Sequence, residues 1–242
     1  MTTLRDILSA PSRKGAREEH WIPLADIMTG LMMMFMLIAL VFMLKVEESN
    51  RNVSRIAVVY DKMRDDIYKD LEREFHDDLP KWGATINRDD LTIRFREPEV
   101  LFATGKDEIK PRFADILRDF FPRYAEILAQ EKYRSQIEEI RIEGHTSSKW
   151  NDETSPEESY FLNMALSQSR TRSTLQFVLS LERVTKHRGW LRSLLTANGL
   201  SSSKLVRQQN GKEDVDSSRR VEFRVRTNAE AEIARMLKVE PK

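Results

Sequence analysis

The chain has 242 residues, 40% hydrophobic and 33% charged, and 40 Lys and Arg stand against 39 Asp and Glu for a formal net charge of +1. That composition fits one ordinary folded domain beside a membrane segment, and it excludes a disordered chain and a basic nucleic-acid binder. With no cysteine there is neither a disulfide nor a thiolate metal site, and His20, His76, His145 and His187 lack ligand spacing, so no metal and no cofactor is expected.

Residues 1–20 are polar and precede an apolar run over residues 22–44, in which residues 27–44 are 18 consecutive positions without a charge. At ~1.5 Å rise per residue that is enough to cross a ~30 Å hydrocarbon core. The polar leader and the absence of a small-residue cleavage pattern predict a retained anchor and not a signal peptide. Arg5, Arg13, Lys14 and Arg17 before the run, against Lys45, Arg51 and Arg55 after it, lean toward a cytoplasmic N-terminus.

Asp26 is the only ionisable residue in the run, set about one turn inside its N-terminal edge. Asp26, Thr29, Gly30, Met33 and Leu37 share one helical face, so the carboxylate lies beside small and polar residues suited to close contact with a partner. A carboxylate at membrane depth is costly and marks an ion path, whereas one in the first helical turn, after Pro23, is also favoured by the helix dipole; both readings stand.

Residues 45–79 are expected to form a helix whose apolar stripe is Val53, Ile56, Tyr60, Met63, Ile67 and Leu71. The stripe suits either a parallel pairing of two copies or packing onto the chain's own domain. Beyond Pro80, two short strands at 82–86 and 91–95 flank a turn at Asn87–Asp90. A helix at 111–128 carries Pro122 as a kink, a strand covers 137–143, a polar loop follows, and a long helix spans 160–181. A short helix at 188–195, a stop at Asn198-Gly199, a turn at Asn210-Gly211 and a closing strand at 220–225 complete an α/β (α+β) domain with two layers, helices on a mixed sheet.

Four segments, Val100–Pro111, Ile140–Thr146, Asn163–Arg170 and Arg219–Phe223, resemble in order the OmpA-like peptidoglycan-binding domain, covering roughly residues 82–227. His20-Trp21, Ala25-Asp26 and Met28-Thr29 before a Met- and Phe-rich run are similar to the membrane helix of the MotB stator subunits. The wording of residues 21–35 is nearer to the MotB-like subunits of the Zorya anti-phage defence systems than to the flagellar ones. The resemblance implies residues 1–20 in the cytoplasm, a span at 21–45, a helical linker at 46–80, a periplasmic wall-binding domain at 81–227 and a tail at 228–242. It also implies a bacterial inner-membrane homodimer inside a ring of multi-span MotA- or ZorA-like subunits.

By the same resemblance Asp26 carries the ion, a proton in preference to sodium because the helix adds only Thr29 as a further oxygen ligand. A proton carrier must change protonation under working conditions, which low-dielectric surroundings permit a carboxyl group. Arg170 matches the arginine that holds the carboxylate of the wall's diaminopimelate stem peptide, and a guanidinium fork suits that task. Asn163 and Leu166 match the positions one and two turns before it. Where the family has an aspartate facing the ligand's ammonium, this chain has Ser147, and Asp152 in the following loop offers a replacement carboxylate. The competing functions are a passive wall tether without ion conduction and a flagellar-type stator. No nucleophile and base are paired, so no enzyme is expected.

Overall fold

The computed structural model describes residues 21–96 and 101–228, leaving aside the side chains of 21–23 and 52–60. Helix α1 (Trp21–Phe75) is followed by strands β1 (Ala84–Asn87) and β2 (Thr92–Phe95), helix α2 (Pro111–Leu128), a single turn α3 (Glu131–Arg134) and strand β3 (Ile137–His145). Helix α4 (Pro156–Ser180), a 3-10 segment (Glu182–His187), helix α5 (Arg188–Leu194), strand β4 (Leu195–Gly199), a turn α6 (Val215–Ser218) and strand β5 (Arg220–Thr227) complete it. The five strands form one sheet in the order β1-β2-β5-β3-β4, antiparallel except for the parallel β3–β4 pair.

The chain divides at residue 54 into two compact units. In the first, the apolar stretch of α1 at Leu24–Arg51 is long enough to cross a membrane, and its side chains are exposed throughout. Such a surface is stable only against lipid or other protein.

In the second unit the core is a cluster of rings on the sheet. Phe120 of α2 meets Phe75, Phe95, Tyr124 and Phe223 at centroid separations of 5.3, 5.1, 5.0 and 5.2 Å. Tilted and edge-on contacts at these distances each add about 0.5–1.5 kcal/mol beyond area burial. Met63, Ile67, Leu71 and Phe75 belong to the same buried cluster. For this half of the stripe, packing onto the chain's own domain is the arrangement found; the side chains of Val53, Ile56 and Tyr60 lie outside the described residues. The core therefore reaches N-terminal of residue 81.

Ion pairs fix that packing. Arg123 of α2 donates to Glu74 Oε1 at 2.7 Å, to Asp78 Oδ2 at 3.0 Å and to the Glu74 carbonyl at 2.8 Å, with its guanidinium 4.9 Å above the Phe75 ring. Asp70 accepts from Lys132 Nζ at 2.5 Å and Tyr133 Oη at 2.8 Å. Hydrogen bonds from Lys132 and from Arg123 hold the Asp70 and Asp78 carboxyls below their ordinary values.

Two expectations need correction. Helix α4 begins at Pro156 and not near residue 160, because Ser155 caps it by accepting from the Glu158 amide at 3.2 Å and Pro156 takes the first helical position. The expected stop at Asn198-Gly199 is the end of β4, an edge strand parallel to β3. Helix α2 continues through Pro122, which lies buried inside it. The tail beyond residue 228 lies outside the described residues.

Candidate functional site

Two glycines bring a helix onto the sheet at the point where a pocket forms. Gly144 and Gly199 are register partners at the ends of β3 and β4. A Cβ at Gly144 would lie 2.7 Å from Thr171 Cγ2, and one at Gly199 would lie 2.3 Å from the Gln168 amide nitrogen. Glycine is thus required at both places for α4 to lie so close. The contacting face of α4 is correspondingly small and polar: Ser159, Asn163, Ser167, Thr171 and Thr174 are buried. Their hydroxyls are satisfied locally, Thr171 Oγ1 bonding the Ser167 carbonyl at 3.1 Å and Thr174 Oγ1 the Arg170 carbonyl at 2.9 Å.

Where α4 crosses the end of β3, a cavity of about 320 Å³ is lined by Phe102, Thr104, Gly105, Thr146, Ser147, Lys149, Trp150, Asn163, Leu166, Arg170 and Arg219. That volume lies in the range of small-ligand sites. Ser147, Asn163, Leu166 and Arg170, which the sequence singled out separately, all reach this one cavity. Asn163 is buried and its Nδ2 donates to the Ser147 carbonyl at 3.1 Å, so it fixes the loop that forms one wall.

Arg170 is half-buried. Its Nε donates to the Lys106 carbonyl at 2.9 Å, its Nη2 to the Ala103 carbonyl at 3.1 Å, and its guanidinium stacks 5.0 Å from the Phe102 ring centroid. Nη1 is left without a protein partner among the described residues. Burial, joined by the like charge of Arg219 and opposed by Asp107, lowers the Arg170 pKa to about 10. This is a cation with no ion-pair partner among the described residues, and a carboxylate or phosphate entering the cavity would supply one.

Ser147 is 4% exposed; its Oγ accepts from Arg219 Nε at 3.2 Å and donates to the Lys149 carbonyl at 3.3 Å. Asp152 does not replace the missing aspartate. Its side chain is 96% exposed, pairs with Lys149 Nζ at 3.5 Å and is absent from the lining. The Asn151 side chain accepts the amides of Glu153 and Thr154 at 3.0 and 2.9 Å, an Asx-type turn just ahead of α4. Arg219, Lys149, Phe102 and Trp150 were not foreseen in the lining. Arg219 reaches it because Arg220 pairs with His145 in the β5–β3 register, which carries residue 219 past the end of β3.

One further cluster lies on β3 and β5. Glu143, His145 and Glu222 are buried, with ligand atoms within 4.8 Å of one another, a spacing that a metal ion could bridge. Glu222 Oε1, however, already accepts from both Arg94 Nε and Arg220 Nε at 2.6 Å. Burial would raise the Glu222 carboxyl, but His145 and Arg220 outweigh it and hold the group far below the carboxylate range. A divalent cation would sit beside two guanidiniums, so the residues fit a charge-compensated network better than a metal site.

Asp26 and Thr29 lie in the first unit. Both are exposed, and Thr29 Oγ1 donates to the Ala25 carbonyl at 2.7 Å, which leaves its oxygen as an acceptor on the Asp26 face. A Cβ at Gly30 would meet nothing within 4 Å among the described residues, so they leave this face of the helix open.

Among the described residues, one apolar helix long enough to cross a membrane precedes an α+β domain with a cationic pocket at the end of β3. The Zorya protein ZorB of Escherichia coli is 44% identical to this chain over 225 residues, 93% of this chain and 95% of that one. The chain belongs to the ZorB family. Among solved structures it is similar to a MotB-like protein of Desulfovibrio vulgaris, at 23% identity and a TM-score of 0.45 over 68% of this chain and 91% of that one. It is also similar to the T6SS cell wall anchor of Pseudomonas aeruginosa, at 22% identity and a TM-score of 0.44 over 65% and 96%. No protein-family model matches the sequence.

Proposed function

We propose that this chain is the wall-anchored subunit of an ion-driven motor in a bacterial inner membrane, acting in anti-phage defence, with Asp26 as the proton carrier. In this reading α1 crosses the membrane once, residues 1–20 are cytoplasmic and the domain lies in the periplasm. Two copies stand inside a ring of multi-span MotA- or ZorA-like subunits, and Thr29 supports Asp26. The cavity beside Arg170 grips a carboxylate of the peptidoglycan stem peptide, with Asn163 and Leu166 shaping it and Ser147 on its wall. The wall contact keeps the subunit from turning while ions pass Asp26, so the ring does the moving.

The observation that carries the reading is the lone ionisable residue of the apolar run, on an open face with Gly30, in a member of the ZorB family. The helix-dipole alternative needs Asp26 in the first turn, whereas α1 runs from Trp21 and has no acidic residue in its first turn; a costly carboxylate further into the span suits an ion path. Asp26→Asn keeps the shape of the side chain and removes its ionisation. The variant, expressed with its neighbouring membrane subunit in phage-challenged cells, is expected to accumulate in the membrane normally and to give no protection. Full protection by the Asn variant would leave the passive tether as the function.

A further inference from the structure

The cavity beside Arg170 carries more positive charge than its hydrogen bonds use. Its described lining holds three cations, Lys149, Arg170 and Arg219, and neither an Asp nor a Glu. Arg219 Nε is bonded to a neutral hydroxyl, Ser147 Oγ, at 3.2 Å, and no carboxylate among the described residues lies within ion-pairing distance of it. Three carboxylates close in sequence or contact to the lining are engaged elsewhere among the described residues. Asp107 is taken by the Ser169 hydroxyl, Glu213 by the amide and hydroxyl of Ser148, and Asp152 pairs outward with Lys149. Among the described residues Arg170 and Arg219 thus stand near each other with no ion pair to either, near enough that the charge of Arg219 disfavours that of Arg170, an effect that Asp107 opposes.

A ligand that brings carboxylates relieves this repulsion, and one that also brings an ammonium restores part of it. In a wall stem peptide the side-chain amine of the diamino acid is a free ammonium before cross-linking. Once cross-linked it is a neutral amide, while a carboxylate remains on the same residue. We infer that this pocket recognises the stem peptide through its acidic groups alone and takes amine-acylated, cross-linked stems ahead of stems with a free ammonium. The inference rests on the wall-binding reading above and adds the state of the wall that is bound. It would place the anchor where the wall is joined to its neighbours, which is where an anchor that resists torque is best held.

Two stem peptides that differ only by acetylation of the side-chain amine test it, titrated calorimetrically into the full-length chain in detergent. The acetylated peptide is expected to bind roughly tenfold more tightly, the order expected for one unscreened like charge near a protein surface. The preference should shrink in Arg219→Gln, which removes one of the two guanidiniums, and should reverse in Ser147→Asp, which supplies a partner for an ammonium. If the free-amine peptide binds as well as or better than the acetylated one while purified wall still pellets the protein, the inference fails and wall binding stands. If neither peptide binds and the wall pellets nothing, the wall-binding reading falls and takes the inference with it.

Discussion

Replacing Arg170 by Ala should separate binding from folding, and the structure says by how much. In the folded chain Arg170 gains two charge-assisted hydrogen bonds, to the carbonyls of Lys106 and Ala103, and a stack on Phe102. Bonds of that kind contribute about 1.5–3 kcal/mol each when well buried, and less in an open cavity where the freed carbonyls rehydrate. Against this stand the burial and the Arg219 repulsion that bring its pKa to about 10 from 12.5. At 1.36 kcal/mol per pKa unit, that opposes the cation by roughly 3 kcal/mol. The two effects nearly offset, so Arg170→Ala should change stability by no more than about 1–2 kcal/mol, a few degrees in Tm for a domain of this size. Wall binding should fall by one to two decades, because a ligand carboxylate loses its charged partner, a loss of about 1.5–3 kcal/mol. Thermal unfolding of the detergent-solubilised chain, run beside pelleting with purified peptidoglycan, reads both quantities. Arg170→Lys, which keeps the charge but cannot bridge both carbonyls, should lie between. Pelleting of Arg170→Ala at the wild-type level would show that the residue ties down the 103–106 loop and does not meet the wall.

Other consequences follow from how α1 joins the core. A soluble piece beginning at residue 82 removes Met63, Ile67, Leu71 and Phe75 from the hydrophobic cluster and should bind apolar dye and aggregate, whereas one beginning at residue 61 should unfold cooperatively; equal cooperativity would contradict the burial of α1. The contacts of Asp70 and Asp78 predict acid sensitivity. Their folded pKa values are depressed from 3.8, so the stabilisation is present above the ordinary carboxylate value and is lost as pH falls through the lower folded values. Amide exchange in the 63–75 segment, monitored from pH 6 down to pH 2, should accelerate only below about pH 4. Acceleration beginning near neutrality would place the weak point elsewhere.

The amphipathic period of α1, the apolar membrane run and the strand–helix order could be read from the chain, because each is a local pattern of side chains. The choice between pairing and self-packing for Met63, Ile67 and Leu71 could not be read, since one stripe serves either. Helix α4 began four residues early because the signal was a cap, Ser155-Pro156 with Glu158, and not an apolar period. Strand β4 is short and ends on a glycine, so its composition matched a stop; only its parallel pairing with β3 makes it a strand. Ser147, Asn163, Leu166 and Arg170 were found by motif. Arg219, 49 residues beyond Arg170 in sequence, reaches the same cavity through the β5–β3 register, which no local pattern encodes. Asp152 was misplaced for a related reason: which side chains of a loop face a cavity is set by the folded loop, and here Asp152 is 96% exposed and pairs with Lys149.

The central claim is that Asp26 moves protons. The chain and the multi-span subunit proposed as its partner, copurified and reconstituted in vesicles with a pH-sensitive dye inside, should acidify the lumen when an inward proton gradient is imposed, should give no ion flux under a sodium gradient alone, and should lose proton entry with Asp26→Asn. Proton entry unchanged in the Asn variant would contradict the claim.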